Sequence, residues 1–251
     1  MPATFCLRLA CGLVGALLLF SPRQLNPRFY RTHFLTVLGL AVGAAVFWLG
    51  SLPGEAYRVW AALGAAIFLA LLGSLAWSLE GAPGGRALIP LTALSLAAAL
   101  GLSTVNAAWG GGAAWGLADE LSSASLLGVA TTAMLLGHSY LIAPAMSLTP
   151  LLRSLQALFI ATALRGVLAG IGLWSWTSEH SFAKLDEVTL LLPLRWGLGL
   201  LAPLALGAMA WQTARMRSTQ SATGILYIVV VFVFLGELTG QLLGRVTGFV
   251  F

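Results

Sequence analysis

Long apolar runs alternate along the chain with short polar dividers. Eight runs stand out, at about 3–20, 34–50, 57–79, 88–109, 121–146, 152–176, 188–211 and 221–244. Each approaches the roughly 20 apolar residues that a helix needs to cross hydrocarbon. The dividers SPRQLNPR, SLPGE, EGAPGGR, GGGAAWGLADE, SLTP and TSEHSFAKLDE carry the Pro, Gly, Ser and Asp of turns. The pattern predicts an all-α polytopic membrane protein: one bundle of eight transmembrane helices over 1–251, with no loop long enough to fold as a soluble domain.

Composition sharpens this picture. Of 251 residues, 59% are hydrophobic and only 8% charged, too few charges to cover a water-facing surface. The formal charge of +5 does not point to nucleic acid, because the basic residues stand singly between apolar segments. They act better as topology signals. Arg23, Arg28, Arg31, Arg86, Arg153, Arg215 and Arg217 fall in dividers on one side of the bundle, and Arg58 and Lys184 on the other. The basic side faces the cytoplasm by the positive-inside rule, so both termini are expected outside, in a bacterial-type inner membrane with bound lipids. The first run lacks an A-x-A site before Ser21 and reads as helix one, not as a cleaved signal. LRLAC resembles the end of a lipoprotein signal, but Arg8 stands where an apolar residue is wanted. The outer dividers carry Glu55, Asp119, Glu120, Glu179, Asp186 and Glu187: ordinary solvated loops, or a negative face for a basic partner.

Polar residues inside the runs carry whatever chemistry the chain has. Arg165 lies mid-way along helix six, Arg195 in the outer half of helix seven, and Glu237 in the outer half of helix eight with Gln241 a turn further. Arg8 and Asn106 lie toward the outer ends of helices one and four. An unpaired arginine at mid-membrane costs from about 2.5 to 17 kcal/mol. Glu237 reads as the only acid within a run, so an Arg195–Glu237 ion pair is expected, with Arg165 sharing Glu237 or facing a cavity. The cluster either staples helices six to eight or forms a site for an anionic or quinone-like ligand, or a proton path.

His138, in LLGHSYLIAPAMS, is the deep histidine. It is expected to face protein. It acts as hydrogen-bonding glue between helices, as an axial ligand of haem b, or as a partner to a quinone or proton. A second haem ligand is scarce. His33 lies on the right side but several ångströms shallower, and His180 is on the wrong side. His138 and His33 are the candidate cofactor residues, and no metal site is expected.

SPRQLNPRFYRTHF reads as an interfacial anchor, with arginines on lipid phosphates and Phe29 and Tyr30 at headgroup level. In TARMRSTQSATGILY, Ser or Thr caps helix eight. A phosphate or quinone headgroup there, held by Arg215, Arg217, Ser221 and Thr223, is the sharper alternative. Pro193 and Pro203 predict a bend near Arg195, and Pro144 a break after His138. Trp109, Trp115, Trp174 and Trp176 outside, and Trp77 and Trp211 inside, fit interfacial belts. Cys6 and Cys11 point different ways on helix one and read as small apolar filler.

No Walker loop, HExxH, GxSxG or paired CxxC occurs. The pattern points to an integral membrane subunit of a larger electron-transfer or respiratory-type complex. It would be a scaffold, contribute a quinone or haem b pocket, and dock other membrane subunits. The alternative is a small-solute transporter or channel with its Arg/Glu site on helices six to eight, although no internal repeat is visible. An intramembrane lipid enzyme would want more His and Asp than are buried here.

Overall fold

A computed structural model describes residues 1–22, 24–49, 56–79, 84–104, 112–143, 146–179 and 187–250. The helices are α1 (Pro2–Ala16, extended by a 3₁₀ turn, Leu17–Leu19), α2 (Pro27–Trp48), α3 (Tyr57–Ala76), α4 (Gly85–Thr104), α5 (Gly112–Ile142), α6 (Thr149–Glu179), α7 (Glu187–Pro193), α8 (Ala202–Arg215) and α9 (Thr219–Thr247). A π-helical segment, Leu194–Leu201, joins α7 to α8. Among the described residues there are no strands, and eight spans are long and apolar enough to cross a membrane, α7 to α8 counting as the seventh. Outward faces present large apolar side chains, with Leu94 67%, Ile160 69% and Leu201 61% exposed. Such a surface suits lipid rather than water, and the eight apolar helices suggest a multi-pass membrane protein. Asn106, Trp109, Pro144, His180, Lys184, Arg23, Glu55 and Asp186 lie outside the described residues.

Local chemistry sets several boundaries. Asn26 caps α2 by accepting a hydrogen bond from the Arg28 amide at 2.9 Å, with Pro27 in the first turn. α9 ends at Gly248, in the left-handed conformation at φ 76°. It begins after Ser218 with no side-chain cap. Thr223 is instead buried and donates back to the Thr219 carbonyl at 2.7 Å. The expected bend at Pro193 takes the form of the π segment: proline removes a backbone donor, and the widened turn runs from Leu194 to Leu201.

Neighbour order repeats between the halves. α1 packs on α2 and α4, and α3 on the same two. α5 packs on α6 and α9, as does the seventh span. The halves join where α1 crosses α5. Of the hydrophobic windows of these two helices, 61% is buried, against 28–44% in the other six, so they form the centre. The crossing is a backbone contact. A Cβ on Gly12 would stand 2.8 Å from the Gly128 amide nitrogen, and one on Gly128 would collide with the Gly12 backbone.

Two elements depart from the sequence expectation. α5 starts at Gly112, nine residues earlier than expected, and carries Asp119 and Glu120 into the bundle, 4% and 3% exposed. They are not loop residues of a negative outer face. Phe29 and Tyr30 are also buried, at 9% and 0%, rather than at headgroup level. Phe29 packs edge-on against Phe20, and Tyr30 stacks on Trp77 with ring centroids 4.3 Å apart. Trp77 and Trp176 are likewise buried, whereas Trp174 is exposed. Cys6 and Cys11 are free thiols.

Gly12→Leu should lower the thermal midpoint in detergent sharply, because overpacking at a rigid contact costs about 1–3 kcal/mol or more. Gly43→Ala, where an added Cβ meets nothing within 4 Å, should leave the midpoint unchanged or raised. Equal behaviour of the two variants in a thermal-shift assay would contradict the backbone contact.

Candidate functional site: an ionic core and a histidine-lined cavity

Six ionised side chains line up with alternating sign in the order Glu120, Arg8, Asp119, Arg165, Glu237, Arg195. Arg8 clasps Glu120 with two bonds, from Nε at 2.5 Å and from Nη2 at 2.8 Å. Its Nη2 also reaches Asp119 at 2.7 Å. Arg165 donates through Nη1 to Asp119 and through Nε to Glu237 at 3.1 Å. Arg195 closes the row on the same Glu237 oxygen at 2.9 Å. Ser123 ties the row across, accepting from Arg8 at 3.1 Å and donating to Glu237 at 2.5 Å. All six residues are at most 4% exposed. The three positive charges of Arg8, Arg165 and Arg195 formally cancel the three negative charges of Asp119, Glu120 and Glu237.

The row joins five spans, those of α1, α5, α6, the π segment and α9. Arg8, Asp119, Arg195 and Glu237 lie about 10–15 Å from the helix ends on one side of the bundle at 1.5 Å per residue, and Arg165 about 20 Å. Glycine permits the approach at its end. A Cβ on Gly199, in the π segment, would stand 2.6 Å from the Gly236 Cα, and this contact lets Arg195 meet Glu237. Glu237 is therefore one of three acids in the spans, not the only one, and the staple includes α1 and α5 besides the three helices expected. Gln241 stays outside the row, and its Nε2 has no hydrogen-bond partner. The missed residues left a signal. Asp119 with Ser122 and Ser123 makes an i, i+3, i+4 polar stripe, and Arg8 stood in a span with no opposite charge assigned.

At the opposite end of the bundle, α2 and the C-terminal turns of α5 enclose a cavity of about 310 Å³, at the small end of the range of roughly 300–1,000 Å³ for small-molecule sites. His33 and His138 both line it, with Arg28, Phe29, Thr32 and Ser139. The structure thus brings the two histidines to one space, in unequal states. His33 is fully buried, its Nδ1 2.9 Å from the Phe29 carbonyl and its Nε2 3.3 Å from Thr132 Oγ1. A carbonyl only accepts, so Nδ1 carries the proton and Nε2 accepts from the Thr132 hydroxyl. Haem ligation by His33 Nε2 requires that bond to break. His138, in contrast, is exposed and makes no hydrogen bond to the described residues. It does not face protein, as expected, but the cavity mouth.

The headgroup site expected at the start of α9 does not assemble. Arg215, Arg217 and Ser221 are exposed, but Thr223 points inward against Gly137. Among the described residues no group of three or more His, Cys, Asp or Glu is placed to hold a metal ion. No protein-family model matches the chain, and no curated protein or solved structure matches it.

Removing one member of a buried ion pair strands its partner at about 3–5 kcal/mol. Glu237→Gln, which removes the charge shared by Arg165 and Arg195, should destabilise by that order in chemical or thermal unfolding. Glu237→Gln combined with Arg195→Met should recover part of the loss. Strictly additive losses in this double-mutant cycle would show that the two residues are not coupled.

Proposed function

We propose that the protein is a membrane-embedded, ligand-binding subunit whose α2–α5 cavity receives the head group of a quinone-class molecule, the apolar tail lying in the bilayer. One observation carries the reading: an exposed imidazole without a protein partner, His138, shares a small, largely apolar cavity with His33 and Arg28. A quinone head offers carbonyl acceptors, and a ring N–H of His138 or the Arg28 guanidinium supplies donors. His33, braced by Phe29 and Thr132, shapes the wall. Largely apolar walls with a few placed polar groups are the usual composition of a small-molecule site. The ionic core supplies the scaffold, since its charges answer one another. With the basic ends of α2, α4, α6 and α8 in the cytoplasm, the cavity opens on the cytoplasmic side of an inner membrane. Electron-transfer partners would then be other subunits.

A second reading, a small-solute transporter, draws support from the neighbour order that repeats between the two four-span halves, as in transporters built from parallel repeats. Solute uptake by proteoliposomes of the purified protein, with no quinone binding, would favour it.

Titrating the detergent-solubilised protein with a short-chain benzoquinone should give saturable binding. His138→Ala should weaken it about tenfold, equivalent to about 1.4 kcal/mol. An unchanged constant in that variant would remove His138 from the site. A Soret band lost in His138→Ala would replace quinone with haem in the same cavity.

A further inference from the structure

We infer that the corner where α2, α3 and α4 meet, on the cavity side of the bundle, is a separate binding site for a phosphate-bearing anion. Two buried donors there have no partner. Tyr30, on α2, is 0% exposed and its hydroxyl makes no hydrogen bond. Trp77, the cap residue of α3, is 5% exposed and its Nε1–H makes none either. The rings stack at 4.3 Å and 16°, so the two donors belong to one rigid unit. A buried donor left without an acceptor is costly. Two in one stack mark a place where an acceptor from outside the chain is wanted.

The acceptor's charge follows from what else converges. Trp77 Nε1 lies against the first turn of α4, 3.1 Å from where a Gly85 Cβ would stand. α4 has 20 residues, and its first amides and dipole favour an anion. Arg86, exposed at that turn, is within electrostatic reach of the Tyr30 hydroxyl. Among the described residues, Ser78 at the end of α3 spends its hydroxyl on the Ser74 carbonyl at 2.7 Å. Among the described residues, the groups that converge are thus donors and one cation: a phenol, an indole, a helix N-terminus and a guanidinium. Gly85 keeps the approach narrow, since any side chain there would strike the Trp77 ring.

Ser78, Leu79, Gly84, Arg86 and Ala87, at the facing ends of α3 and α4, form an exposed rim, and Leu79 is 60% exposed. A rim with an apolar side chain and an arginine suits a phospholipid, its phosphate on Arg86 and its ester oxygens toward Tyr30 and Trp77. A free phosphate would use the same groups. This site shares no lining residue with the histidine cavity and stands whether or not a quinone binds there.

Thermal midpoints of the full-length protein, delipidated in detergent, test the inference. Phosphatidylglycerol should raise the midpoint by several degrees in a saturable manner, and phosphatidylcholine should not. Tyr30→Phe keeps the stack and loses only the hydroxyl. It should fold with a similar midpoint in phosphatidylcholine and lose at least half of the phosphatidylglycerol shift, as should Arg86→Gln. Arg153→Gln, an exposed basic residue on α6, should keep the full shift. A response to phosphatidylglycerol but not to inorganic phosphate assigns the site to lipid, and a response to both assigns it to phosphate from either source. Equal shifts in wild type and Tyr30→Phe, or equal effects of the two lipids, would overturn the site.

Discussion

An ion in hydrocarbon is tolerable only beside its opposite, and that requirement organises this molecule. Five of the eight spans contribute to a single row of alternating charge, from Glu120 on α5 to Arg195 in the π segment. No helix–helix hydrophobic effect operates in lipid, so the affinity of one span for another comes from packing and polar contacts. The row supplies the polar part and fixes register, because each guanidinium reaches its carboxylate at only one helix rotation. Glycine supplies the packing part at Gly12–Gly128 and Gly199–Gly236, the two places where backbones come closest to the charges.

The bundle thus divides labour along its length. One end holds the ionic lock. The other end is looser, with an enclosed space beside His33 and His138 and two unanswered donors at Tyr30 and Trp77. Rigidity and reception are separated by the length of a span.

Eight spans were legible because apolar runs of this length have one reading in a lipid-sized window. The pairing of Arg195 with Glu237 was legible too, as the depths of unlike charges on successive helices matched, whereas Arg165, deeper on α6, was left between Glu237 and a cavity. Asp119 and Glu120 were not: next to a glycine run, two adjacent acids look like a loop, and only the distant Arg8 and Arg165 make them tolerable inside α5. Tyr30 deceived for a related reason. At the end of a span beside arginines, an aromatic residue resembles a headgroup anchor, and nothing local reveals that Trp77 will cover it. His138 misled in the opposite direction, since depth along a helix does not say which way the ring turns.

The lock also constrains how the protein is made. Arg8 enters the membrane with the first span, yet Asp119 and Glu120 follow 111 and 112 residues later. At translation rates of about 5–20 residues per second, that is a wait of roughly 5 to 20 s. During it the guanidinium must snorkel to the interface or stay sheltered in the insertion machinery, so the first helix reaches its final depth only after the fifth has arrived.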